Sequence, residues 1–287
     1  MLYHLYRIAR FLAITLPVGF SYRIADISGS LYYLLANKDR KIVNDNIEVI
    51  LKYNNDKRAV GRLSREVFTN FARYLVEFFR ASKIDLKYIE KYIDIQGREN
   101  LDKALSSGKG VLLVSAHLGN WELGAMALSI LGYPLNVVAW THRDRKVNEF
   151  FLGQRQSKGV KIIPLGVAIR RVLFALKNNE AVAFLGDIDY ANPEIGVTVK
   201  LFGQDTIMPK GPAVFSLKTD CPIVPVFVVR EKGNRFKFII EEAISYKPTD
   251  NYEYDVANLT QSLSKRLEFH ISRNPGQWFM LTPRWPA

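Results

Sequence analysis

Cysteine occurs once in these 287 residues, at Cys221, so the chain can hold no intramolecular disulfide framework, no multi-cysteine zinc site and no cysteine-ligated iron–sulfur cluster. Its position between Asp220 and Pro222, at the mouth of an apolar run, suits a core residue. Histidine is nearly as scarce, and the four residues His4, His117, His142 and His270 never take the spacing H-E-x-x-H. We expect no metal. Long apolar runs are missing too, since no stretch reaches the roughly eighteen consecutive apolar residues that a spanning helix needs. Acidic residues are outnumbered, 28 Asp plus Glu against 40 Lys plus Arg, which leaves a net charge of +12. Such an excess points to an acidic partner, whether protein, lipid surface or polynucleotide.

The composition is otherwise that of a folded globular chain, 48% apolar and 24% charged. Three blocks follow one another. Residues 1–94 read as helical, with the clearest stripe at Val60, Leu63, Val67, Phe71, Leu75, Phe78 and Phe79. Its start carries Phe11 to Tyr22, uncharged throughout and interrupted by Pro17 and Gly19, with Arg7, Arg10 and Arg23 flanking it. We expect a helix lying in a membrane interface; a plain buried helix and a signal segment are the other readings, the last without an A-x-A cleavage site. Residues 95–287 form the core, expected to fold as one domain with the helical extension. From about Gly97 to Ile244, short β-branched runs alternate with helical patterns, the mark of an α/β domain. A last helical stripe, Val256 to Ile271, ends at Asn274-Pro275-Gly276 and leads to an aromatic tail.

The sharpest local feature is Ser115-Ala116-His117-Leu118-Gly119-Asn120-Trp121-Glu122, where a buried strand gives way to a helix. Open α/β sheets bind ligands at such carboxyl ends. His117 suits a general base, Glu122 a carboxylate that takes the other imidazole N–H, Gly119 a tight turn and Asn120 a helix N-cap. The residues alone equally admit a satisfied histidine beside an exposed first-turn carboxylate. Other chemistries find no support. No G-x-S-x-G string supplies a hydrolase nucleophile, and His142-Arg143-Asp144 follows no G-x-G-x-x-G loop of a kinase.

His117 to Glu122 resembles the H-x4-[D/E] motif of the late acyltransferases of lipid A assembly, the lauroyl and myristoyl transferases, within the glycerolipid (lysophospholipid) acyltransferase superfamily. Further blocks follow in the family's order. They are Arg155 with Gly159, Gly186-Asp187-Ile188-Asp189, Leu201-Phe202-Gly203, Met208-Pro209-Lys210-Gly211-Pro212-Ala213, Lys218-Thr219, Pro222 to Val226, Pro275-Gly276-Gln277-Trp278 and Arg284-Trp285. Upstream, Arg40 with Asn46-Ile47 is similar to the family's N-terminal block. The tail departs, since Met280 to Arg284 stands where many relatives carry W-x-H-R-R.

The resemblance implies a mixed sheet flanked by helices and an O-acyltransferase without an acyl-enzyme. It implies transfer of a fatty acyl group from acyl carrier protein or coenzyme A to a hydroxyl of a membrane lipid, with a lipid A-type glycolipid favoured. The thioester is a cosubstrate, and no cofactor is expected. His117 would be the base, Glu122 its carboxylate and Arg155 an oxyanion donor. Asn120, Asp187, Asp189, Gly203, Pro209, Lys210 and Gly211 would bind substrate. Arg143, Arg145, Lys146, Lys158, Arg170 and Arg171 would meet the carrier or anionic lipid. The enzyme would sit at the cytoplasmic face of a bacterial inner membrane, peripheral or monotopic. The rival reading is a non-catalytic binder of membrane or nucleic acid; the chain shows no RNA-recognition motif or zinc finger, so no nucleic acid is expected.

Overall fold

The run Val111–Ser115 is buried at every position, as a strand covered on both faces must be. In the computed structural model, which describes residues 2–52, 56–187 and 195–285, it lies at the centre of the main sheet. The strands in chain order are β1 (Ile93–Gln96), β2 (Val111–Ser115), β3 (Leu135–Ala139), β4 (Lys161–Pro164), β5 (Ala181–Leu185), β6 (Gly196–Leu201), β7 (Gln204–Pro209), β8 (Ile223–Arg230) and β9 (Phe236–Ile240). Among the described residues, seven of them form one mixed sheet in the order β1-β9-β8-β2-β5-β3-β4, with β8 and β9 antiparallel and every other pair parallel. β6 and β7 make a separate hairpin.

The helices are α1 (Leu2–Thr15), α2 (Val18–Leu35), α3 (Asn37–Ile50), α4 (Lys57–Phe79), α5 (Leu86–Tyr92), α6 (Arg98–Leu105), α7 (Trp121–Ile130), α8 (Arg145–Gln156), α9 (Ala168–Lys177), α10 (Gly211–Thr219) and α11 (Tyr252–Arg273). α5 to α8 and the end of α4 cover one face of the sheet, through residues such as Phe78, Ile89, Leu101, Leu123 and Phe151. α9, α10 and α11 cover the other, through Val172, Leu176, Phe215, Leu259 and Leu263. A third cluster joins α3, α4, the hairpin and the aromatic tail around Ile47, Phe68, Phe202 and Trp278. There Asn46 donates to the carbonyls of Met280 and Thr282, which fastens the tail to α3.

Three sequence expectations change. Ile93 and Asp94, read as the end of the helical block, open the edge strand β1, which runs on to Gln96; four residues are too few to show a period of two. β7 escaped notice because its alternation is weak, and what makes it is the two-residue turn Phe202-Gly203, both at positive φ, as a type I′ hairpin requires. The apolar stretch from Phe11 to Tyr22 is not one helix. Pro17, extended at ψ 139°, separates α1 from α2. The exposed apolar surface runs instead along α2, where Phe20, Ile24, Ile27, Leu31 and Leu34 recur every three or four residues, with Leu5, Ile8 and Leu12 on α1. Among the described residues no helix is long and apolar enough to cross a membrane.

Candidate active site

β2 ends at Ser115, and the next five residues turn the chain into α7. Gly119 makes that turn possible: its φ is +63°, and a Cβ there would stand 2.0 Å from the Val228 carbonyl oxygen. The turn is held by backbone bonds from Gly119 N to Gln277 O, from Asn120 N to Val228 O and from Phe279 N to His117 O. Asn120 caps α7 as expected, its Oδ1 accepting from Leu123 N at 2.9 Å.

His117 Nδ1 meets Asp187 Oδ1 at 2.8 Å, and Asp187 Oδ2 accepts from the His117 backbone N–H and from the Trp278 indole, each at 2.8 Å. Asp187 is fully buried. Burial pushes its carboxyl up, but the His117 charge, the His117 bonds and the Trp278 indole outweigh this and hold it below the usual aspartate range. An ionised carboxylate only accepts, so Nδ1 carries the proton and Nε2 keeps its lone pair in the neutral ring.

This corrects the expected pairing of His117 with Glu122. Glu122, five residues along and on the next element, receives Arg155 instead: Nε donates to both carboxylate oxygens at 3.0 and 3.1 Å, and Nη2 donates to Oε1 at 2.5 Å. Burial works against the Arg155 charge, yet Glu122 raises its pKa overall. Tyr74 stacks on Trp121 at 4.7 Å, and Trp121 meets the His117 ring edge-on at 4.9 Å.

His117, Glu122 and Arg155 share the wall of a cavity of about 640 Å³, within the usual size of a small-molecule site. Its lining is otherwise largely apolar and comes from both faces of the sheet: Leu113, Leu128, Leu135 and Val137 on one side, Leu173, Phe184, Val214 and Phe215 on the other. Pro209, Lys210 and Gly211 also line it. Three expected substrate contacts do not, one of them Asp187, whose carboxylate is taken by His117 and Trp278. Gly203 sits in the β6–β7 turn, and the Asn120 amide is taken by Leu123 and Glu77. Asp189 lies outside the described residues. His142 was missed; it lines the cavity beside Phe151, and burial and the Arg155 charge lower its pKa. Its local sequence gave no signal for this; it precedes α8, and its backbone N–H donates to Asn148 Oδ1 at 3.0 Å.

A histidine held by a buried carboxylate, at a largely apolar cavity by the carboxyl ends of parallel strands, marks a candidate active site in an α/β fold. The comparison with known proteins narrows this. The family model for bacterial lipid A biosynthesis acyltransferase matches residues 1–287, and the chain belongs to that family. It is 32% identical to a phosphatidylinositol mannoside acyltransferase of Mycobacterium tuberculosis (strain ATCC 25618 / H37Rv), over 76% of this chain and 68% of that one. It is 30% identical to the protein of the same name from Mycolicibacterium smegmatis, over 78% and 73%. It is 25% identical to the lipid A biosynthesis palmitoleoyltransferase of Escherichia coli (strain K12), over 78% and 71%.

Proposed function

We propose that this protein transfers a fatty acyl group from a thioester, carried by acyl carrier protein or coenzyme A, to a hydroxyl of a glycolipid. The observation that carries the reading is the His117–Asp187 pair at an apolar cavity in a chain of an acyltransferase family. His117 Nε2 takes the hydroxyl proton as the oxygen attacks the thioester carbon. The C–S bond then breaks, and the proton passes from His117 to the leaving thiolate. Asp187 fixes the tautomer and stabilises the imidazolium. Arg155, oriented by Glu122, is our choice of oxyanion donor, and a lost donor of this kind costs about 3 kcal/mol of barrier. The apolar cavity takes the acyl chain, with Pro209, Lys210 and Gly211 at its wall. The mannoside relatives share more identity with this chain than the lipid A enzyme does, so a mannosylated lipid stands beside the lipid A-type acceptor. The exposed stripe of α2, with α1, rests on the cytoplasmic leaflet and brings the cavity to its substrates.

The test incubates the protein with acyl-loaded acyl carrier protein or acyl coenzyme A, labelled in the acyl group, and vesicles holding either glycolipid. Label should enter one of them, and His117→Ala should lower the rate by about 10²–10⁴-fold with an unchanged melting curve. Folded His117→Ala with full turnover rejects the base; no label in either lipid rejects the acceptor class.

A further inference from the structure

Glu77, on α4, does not line the cavity, yet three other elements converge on its buried carboxylate. Oε1 accepts from the Tyr22 hydroxyl of α2 at 2.6 Å and from the Arg230 guanidinium at the end of β8; Oε2 accepts from the Asn120 amide at 2.6 Å. The side chains of Glu77 and Arg230 are 3% and 9% exposed. Apolar residues of equal volume would hold these elements together at least as well, because desolvating two charges offsets most of their attraction. What a buried pair adds is a fixed direction.

That direction falls on the turn with the base. Asn120 uses both ends of its amide, Nδ2 on Glu77 and Oδ1 on the first turn of α7, and it lies between His117 and Glu122 in the chain. One turn earlier on α4, Tyr74 stacks on Trp121, whose ring edge meets His117. So α4 holds the turn at two points, one charged and one aromatic. α4 is in turn seated hard against α2, where a Cβ on Gly29 would come within 2.7 Å of the Phe68 carbonyl oxygen.

We propose that Glu77 is a positioning residue of the acyl-transfer site: through Asn120 it sets the orientation of the 117–122 turn, and with it the His117 ring against Trp121 and Glu122 against Arg155. Its kinetic consequence rests on the reaction proposed above. A misplacement of about 1 Å at reacting groups can cost roughly a hundredfold in rate.

The variant that isolates this role is Asn120→Ser. Serine still caps α7, and only the donation to Glu77 is lost. We expect kcat to fall about tenfold or more, KM for the thioester to stay within about twofold, and the melting curve to hold. Glu77→Gln also leaves Arg230 without its anion, so stability should fall along with kcat. In the double variant kcat should be no lower than in Glu77→Gln alone. A second readout needs no turnover: the His117 ring resonances of histidine-labelled protein should shift in Asn120→Ser. Should that variant not fold, Glu77→Asp, which keeps the charge but draws the carboxylate back from Asn120, takes its place with the same readouts. Wild-type kcat, additive losses in the double variant or unshifted ring resonances each overturn the proposal. Wild-type protein that transfers no acyl group rejects the reaction instead, and the resonances still decide the positioning role.

Discussion

Asp187 and Glu122 are both buried carboxylates that hold a basic side chain at the cavity, but they hold different kinds of base. Asp187 faces an imidazole, which can take up and give back a proton, and it spends its other oxygen on a backbone amide and an indole. Glu122 faces a guanidinium, which keeps its charge, and gives both oxygens to it. The first pair can therefore move a proton, while the second can only present a fixed positive charge. Position in the sheet decides the assignment: Asp187 lies two residues past the end of β5, which pairs directly with β2, whereas Glu122 points from α7 toward α8.

The strongest way to break the comparison is Asp187→Asn. Its amide oxygen can still accept from the His117 N–H and the Trp278 indole, so the fold should persist. Its NH2 now faces Nδ1, which must accept, and the ring proton moves to Nε2 where the lone pair was needed. We expect kcat to fall by about 10²–10³-fold, within the range of a general base, with little change in KM. Acid stability gives the companion signature. Because folding lowers the Asp187 pKa, its contribution is complete above the unfolded value of about 3.9 and is lost as pH falls through the lower folded value. Below about pH 4 the wild type should lose stability more steeply than Asp187→Asn, by circular dichroism at stepped pH. Equal steepness would show that this carboxylate does not sense folding.

Glu122→Gln should have a smaller effect on rate and a clearer one on stability. Arg155 would keep a hydrogen-bond acceptor but lose the charge that balances it in a wall where its side chain is 14% exposed. Removing one partner of a buried pair costs about 3 kcal/mol, so the urea midpoint should fall markedly. If kcat fell as far as in Asp187→Asn at wild-type stability, Glu122 rather than Asp187 would be the carboxylate of the proton transfer.

How legible this was in the sequence follows from distance along the chain. The turn from Ser115 to Glu122 was readable, since a buried strand, a glycine at positive φ and an Asn cap are each local signals. The carboxylate beside His117 was not, because Asp187 is brought there by strand pairing across seventy residues and spacing favoured the nearer Glu122. The same holds for Glu77, whose position on α4 reads as one more residue of an amphipathic helix. The central strands β2 and β5 were visible as near-continuous apolar runs; β1 and β7 were too short or too polar to show. The apolar run near the start was visible as composition, but Pro17 turned it into a joint, and the exposed face emerged only once α2 had a partner in α4.

The smallest effect sharpens the contrast between buried and exposed pairs. Arg62 and Glu66 repeat the guanidinium–carboxylate chemistry of Arg155 and Glu122 one helical turn apart on α4, at 3.2 Å and with side chains 65% and 44% exposed. Water there solvates both ions whether or not they touch, and holding two long side chains in one geometry costs entropy that offsets much of the attraction. Arg62→Ala should therefore change stability by no more than about 0.5 kcal/mol, and added salt should shrink even that difference. A loss as large as that of Glu122→Gln would mean that burial is not what separates the two pairs, and the fixed charge assigned to Arg155 would need another origin.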